Sequence, residues 1–100
     1  MNEITLYDNE TAYEREYAYA VLDEGKLRII VGTSEHAPGG HYSLTYSFDE
    51  KNTAMLARHL FIPSAWLLQK IKWRFSGCNG IKRFQTYCQS RNIVYIAYAG

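Results

Sequence analysis

The sequence predicts an α+β fold: a small, mostly antiparallel sheet with two or three helices packed on one face. Three observations predict it. Between residues 13 and 48 apolar side chains alternate at the two-residue period of a strand. Between 52 and 91 they recur at helical spacing, and "IVYIAYA" at 93–99 returns to strand-forming residues. One hundred residues, 47% of them hydrophobic, suffice for one packed core, so a single domain spanning 1–100 is expected.

A short edge strand is expected near residues 4–7. In "YEREYAYAVL", 13–22, Tyr13, Arg15, Tyr17, Tyr19 and Val21 fall on one side and Glu14, Glu16, Ala18, Ala20 and Leu22 on the other. A turn at "DEG", 23–25, leads into "KLRIIV", whose Leu27, Ile29 and Val31 alternate with Lys26, Arg28 and Ile30, which marks a hairpin. "HYSLTYSF", 41–48, sets Tyr42, Leu44, Tyr46 and Phe48 against His41, Ser43, Thr45 and Ser47, a third antiparallel strand with one face buried.

Asp49 or Asn52 can cap a helix starting near Asn52, because their side-chain oxygens reach the free N–H groups of a first turn. Met55, Leu56, His59 and Leu60 are expected to face the core. Pro63 separates this helix from the next, 64–75, where Leu67, Leu68, Ile71 and Phe75 form one stripe. "KIKWRF" within it also alternates like a strand, but it continues the "SAWLLQ" pattern without a turn signal, which favours helix. Gly77 to Gly80 interrupts the chain. Asn79 then caps a third helix with Ile81, Phe84, Tyr87 and Cys88 inward, and Asn92 ends it in the left-handed conformation. The final strand is apolar on both faces, which suggests a place inside the sheet.

No apolar run approaches the roughly 20 residues that span a bilayer, and the acidic start "MNEITLYDNE" lacks a signal-peptide core. A cytoplasmic protein with no membrane association is expected. Two cysteines, Cys78 in a Gly/Asn turn and Cys88 on a buried helix face, are too few for a disulfide scaffold and read as free thiols.

The net charge of +1 conceals a segregation along the chain. Residues 1–50 hold all ten acids against three bases, a net of −7, and residues 51–100 hold eight bases and no acid, +8. Random placement would put every acid in the first half about once in a thousand chains, so the segregation calls for a reason. Asp8, Glu10, Glu14 and Glu16 crowd the first strands, joined by Asp23 and Glu24 at the hairpin turn and Glu35 beyond it. They read either as a solvated edge that discourages aggregation or as a negative surface that steers a basic partner.

"QKIKWRFSGCNGIKRF", 69–84, sets five bases among aromatic and aliphatic residues. Trp66 and Trp73, seven apart, share a helix face roughly opposite the apolar stripe. Either another layer covers these indoles, or they anchor a protein partner or stack on bases. The balanced overall charge and the absence of any recognised nucleic-acid motif disfavour nucleic acid. Catalysis finds no foothold. His36, His41 and His59 are scattered, "EHAPGGH" matches no metal-ligand spacing, Gly39 and Gly40 belong to no phosphate loop, and Glu14 and Glu16 lack a pocket. No enzyme activity, cofactor or metal is expected.

"YSFDEKNTAMLARHL" at 46–60 and "GIKRFQTYCQSRNIVYIAYA" at 80–99 together resemble small bacterial α+β immunity proteins of toxin–immunity systems of the contact-dependent growth inhibition type. The resemblance implies an inhibitor that occludes the active site of a cognate toxin. A nuclease, whose cleft must be cationic to hold phosphate, fits the acidic surface. In this reading the acids steer the encounter, and either Tyr13, Tyr17 and Tyr19 or Trp66 and Trp73 supply the buried anchors. The alternative is a small RNA- or DNA-binding module using Lys70, Lys72, Arg74, Lys82 and Arg83. The chain is expected as a monomer, or as a weak homodimer joining the acidic half of one copy to the basic half of another.

Overall fold

A computed structural model describes residues 2–35, 41–77 and 79–99, and among them shows five strands and three α-helices. The strands are β1 (Asn2–Glu10), β2 (Glu14–Asp23), β3 (Lys26–Glu35), β4 (His41–Ser47) and β5 (Ile96–Ala99). They form one antiparallel sheet in chain order, β1 to β5. The helices α1 (Glu50–His59), α2 (Leu67–Phe75) and α3 (Gly80–Ser90) connect β4 to β5, with a 3₁₀ turn, Ser64–Trp66, leading into α2. The α+β architecture predicted from the alternating and helical spacings is the one observed.

The two-residue turn between β2 and β3 has positive φ at both Glu24 (51°) and Gly25 (78°), the twist that matches a tight hairpin. Along β2 the helix-facing side is Ala18, Ala20 and Leu22, and the small alanines let the helical layer approach closely. Leu27 and Ile29 from β3 meet Leu56, Leu67, Leu68 and Ile71 from the helices in the same core. Each such fully buried aliphatic side chain stabilises the fold by roughly 1.5–3 kcal/mol. An aromatic cluster continues it: Phe75 lies edge-on to both Phe84 and Tyr87, and Phe48 contacts Phe84 and Tyr95.

Thr53, buried in α1, ties the two layers. Its hydroxyl donates to the Asp49 carbonyl at 2.7 Å and accepts the Leu27 N–H of β3 at 3.1 Å. Asp49 caps α1, accepting from the Asn52 N–H at 2.7 Å, and the Asn52 side-chain oxygen accepts the Val94 N–H at 2.9 Å. The C-terminal segment is thereby held to the start of α1.

Gly80 makes the sharp α2–α3 junction possible. A Cβ there would collide with the Phe75 carbonyl, a backbone atom with no room to move. Both α1 and α3 end in the paired 6→1 and 5→2 hydrogen bonds of a Schellman motif. In α3 the left-handed residue is Asn92 (φ 56°), as its residue type predicted; in α1 it is Phe61 (φ 58°), where a side chain costs about 1 kcal/mol against glycine.

Five expectations need correction. β5 lies at the sheet edge rather than inside it, with all four residues exposed. Its apolarity on both faces misled because Ile93 and Tyr95, which do reach the core, precede the strand. His59 is exposed in the last turn of α1, while Thr53 and Ala57 take the inner face with Leu56. The helix begins at Glu50, ahead of Asn52, since Asp49 is the cap. Asn79 occupies the N-cap position of α3 without a side-chain capping bond. Tyr42 is exposed, because it sits at the end of β4 remote from α1. Cys78, His36, Gly39 and Gly40, and the expected turn at "EHAPGGH", lie outside the described residues.

Replacing Thr53 by Val keeps the shape but leaves the Leu27 N–H buried without its acceptor. A loss of about 1–3 kcal/mol is expected by urea denaturation, largely restored by Thr53→Ser. Hydrogen bonds from Asn52, first from its backbone N–H and then from its side chain, hold the Asp49 carboxyl below its ordinary pKa of 3.8. The ionised cap therefore contributes fully above 3.8 and is lost as pH falls through the lower folded value. Denaturation of wild type and Asp49→Asn should differ by a constant amount at neutral pH, and that difference should shrink below pH 3.8.

Candidate functional site

The helices cover one face of the sheet, so the other faces solvent, and the register fixes what it displays. Arg15, Tyr17 and Tyr19 of β2 lie on this outer face beside Glu10, Asp8 and Thr5 of β1, and opposite Ser34, Gly32 and Ile30 of β3. Arg15 grips Asp8 with two hydrogen bonds, 2.8 and 3.0 Å, and its guanidinium lies 5.4 Å from the Tyr17 ring. Tyr17 stacks on Tyr19 at 6.1 Å and brings its phenol end over Gly32, where any Cβ would collide with it. Carboxylate, guanidinium and two phenols thus form one continuous ordered stack, bordering a hollow of about 370 Å³ that Glu3 and Thr5 also line. The Arg15 hydrogen bond holds the Asp8 carboxyl below the usual carboxylate range and pushes the guanidinium pKa up, so both stay charged at neutral pH.

Of the residues singled out from the sequence, Asp8, Glu10, Tyr17 and Tyr19 come together on this face. Glu14 and Glu16 point to the opposite face, the side of the helices, at the end of β2 beyond Ala18. There the Tyr7 hydroxyl approaches Glu16 at 3.5 Å. Tyr13, 84% exposed, stands in the β1–β2 connection at that same end. Asp23 and Glu24 occupy the other end of the sheet, at the β2–β3 turn, where Asp23 lies 4.0 Å from Arg28.

Trp66 and Trp73 belong to the helical layer. They are 62% and 76% exposed, so no third layer covers them. Together they line a shallow groove of about 380 Å³ with Ile62, Pro63, Gln69 and Lys70, whose ammonium sits 4.7 Å over the Trp73 ring. Trp73 also borders a second groove, about 490 Å³, between α2 and α3, where Arg74 and Arg91 both approach Tyr87, at 5.0 and 3.7 Å. Arg83, in the same groove, donates to the carbonyls of Arg74 and Ser76 and so closes the C-terminal end of α2. Among the five bases read as a nucleic-acid set, Arg83 therefore has a structural task. Arg91, which sequence reasoning left out, joins the groove through its stacking on Tyr87; an aromatic at i−4 was the available signal.

The charge segregation along the chain becomes a segregation between layers. Eight of the ten acids lie in β1, β2, β3 and the β2–β3 turn, and the other two, Asp49 and Glu50, start α1, where the helix dipole favours them. Both ion pairs seen among the described residues, Asp8 with Arg15 and Asp23 with Arg28, join partners within the sheet. The bases of the helical layer are not spent on the acids of the sheet in those pairs.

Among the described residues no three His, Cys, Asp or Glu side chains gather as a metal site, and no helix is long and apolar enough to cross a membrane. Cys88 is fully buried, and burial pushes its thiol up to about 12, which keeps it protonated and unreactive. Comparison with known proteins returns no match, whether to a family model, a curated protein or a solved structure.

Proposed function

We propose that this chain is a non-enzymatic inhibitor, an immunity protein that binds a basic toxin domain through its acidic sheet layer and covers the toxin's active site. The observation that carries the reading is the outer-face stack of Asp8, Arg15, Tyr17 and Tyr19, joined by hydrogen bonds and ring contacts within a layer that contains most of the acids. A preordered aromatic surface avoids ordering costs on binding, and the surrounding carboxylates steer a cationic partner toward it. A nuclease is the toxin class whose active cleft best complements that charge. Glu14, Glu16 and Tyr13 extend the surface around the end of the sheet, while Asp23 and Glu24 steer at a distance from the other end.

A second reading, a single-stranded nucleic-acid module, is favoured by the exposed Trp73 indole, which shares a groove with Arg74 and Arg91. It would use the helical layer and leave the acidic sheet unexplained, which ranks it second.

The inhibitor reading expects a toxin gene beside the gene for this chain and protection of cells that co-express the toxin domain. With that domain immobilised, charge reversal at Glu14 and Glu16 should slow association about tenfold at low salt, and Tyr17→Ala should speed dissociation. Unchanged rates in both variants, or no protection of growth, would remove the sheet from the mechanism.

A further inference from the structure

The groove between Trp66 and Trp73 lies on the helical layer, away from the outer-face stack on which the proposed inhibitor surface rests. Three observations bear on what could fill it. First, it is apolar: Ile62, Pro63 and the two indoles line it, with Lys70 the only charge among the lining residues. Second, Phe61, adjacent in sequence to this wall, is 92% exposed and adopts a left-handed φ of 58° that favours glycine. Neither burial nor backbone preference accounts for a phenyl ring there, and strain retained beside a groove points to binding. Third, α2 carries Lys70, Lys72 and Arg74 with no acid, and Trp73 joins the apolar groove to the one that holds Arg74 and Arg91.

We infer that this groove docks an acidic segment of a protein partner, which seats bulky apolar side chains against Trp66, Trp73 and Phe61 and sets its carboxylates over Lys70 and Arg74. The apolar lining favours a protein over a nucleic acid, whose phosphates would find a single cation in the groove itself. The absence of acids on α2 favours an acidic segment over a basic one, since a basic one would meet like charge. The chain would then carry two recognition surfaces of opposite charge preference on its two layers.

The two tryptophans of the chain both line this groove, so their emission reads its occupancy directly. The test pans a phage-displayed library of short random peptides against the intact chain and titrates the enriched peptides by tryptophan fluorescence. Enrichment of Asp or Glu next to bulky apolar residues is expected, with a blue-shifted emission. Trp73→Ala and Lys70→Glu should each weaken binding about tenfold. Phe61→Gly should raise Tm by roughly 5 °C and still weaken binding, which separates recognition from folding. Enrichment of basic peptides, or of none that distinguish wild type from Trp73→Ala, overturns the proposal. So does full binding by Phe61→Gly and Trp73→Ala together. An oligothymidylate that shifts the same emission and displaces the peptides would give the groove to single-stranded nucleic acid instead.

Discussion

The hydroxyl of Thr53 holds the two layers in register. A single buried oxygen accepts from the first core residue of β3 and donates to the residue that caps α1. Without it, the Leu27 N–H at the sheet's buried face would have to find water in a place that excludes it. Because Asp49, Asn52 and Thr53 lie within one turn, the same few residues start the helix, dock it on the hairpin and receive the returning chain at Val94. α2 then packs on β1 and β2, β5 pairs with β4, and Gly80 allows the close approach between α2 and α3.

Covering one sheet face and leaving the other open gives the charge pattern its meaning. A sequence that places most of its acids in strands and most of its bases in helices, once folded into two layers, puts an excess of acids in the sheet and an excess of bases in the helices, although Arg15, Lys26 and Arg28 remain in the sheet. Each layer also presents aromatics to solvent: half-buried Tyr17 and Tyr19 on the sheet, exposed Phe61, Trp66 and Trp73 on the helical layer. Exposed aromatic rings are costly to leave in water and are enriched where proteins meet. Their pairing with an acid-rich sheet and a base-rich helical layer is the main structural reason to read this protein through its surfaces.

Much of the fold was legible because its signals were local. The alternation in β2 and β3, the Asp49 cap, the α2 stripe and the Asn92 terminus each depend on residues within a few positions of one another, and each appears as the pattern implied. β5 was misplaced because its location depends on which strand it pairs with, and apolarity on both sides describes the whole segment from Ile93 onward, not the four residues that form the strand. His59 was read inward because its spacing ignored that Thr53, a polar residue, owns the inner face for the sake of a hydrogen bond. Of the site, the sequence disclosed the acids and aromatics but not their grouping. Gly32, which makes room for the Tyr17 side chain, and Phe61, whose left-handed backbone adjoins Ile62 of the Trp66 and Trp73 groove, carry no signal until the backbone is in view.

The separation of the two charged layers can be measured without knowing either partner. Amide chemical shifts of the ¹⁵N-labelled chain, followed at low salt during separate titrations with oligolysine and oligoglutamate, map where each charge is received. Oligolysine should perturb amides of β1 and β2, including Asp8, Arg15 and Tyr17, and oligoglutamate should perturb those of α2 and α3 around Lys70, Trp73 and Arg91. Overlapping footprints, or no response to either peptide, would contradict the account.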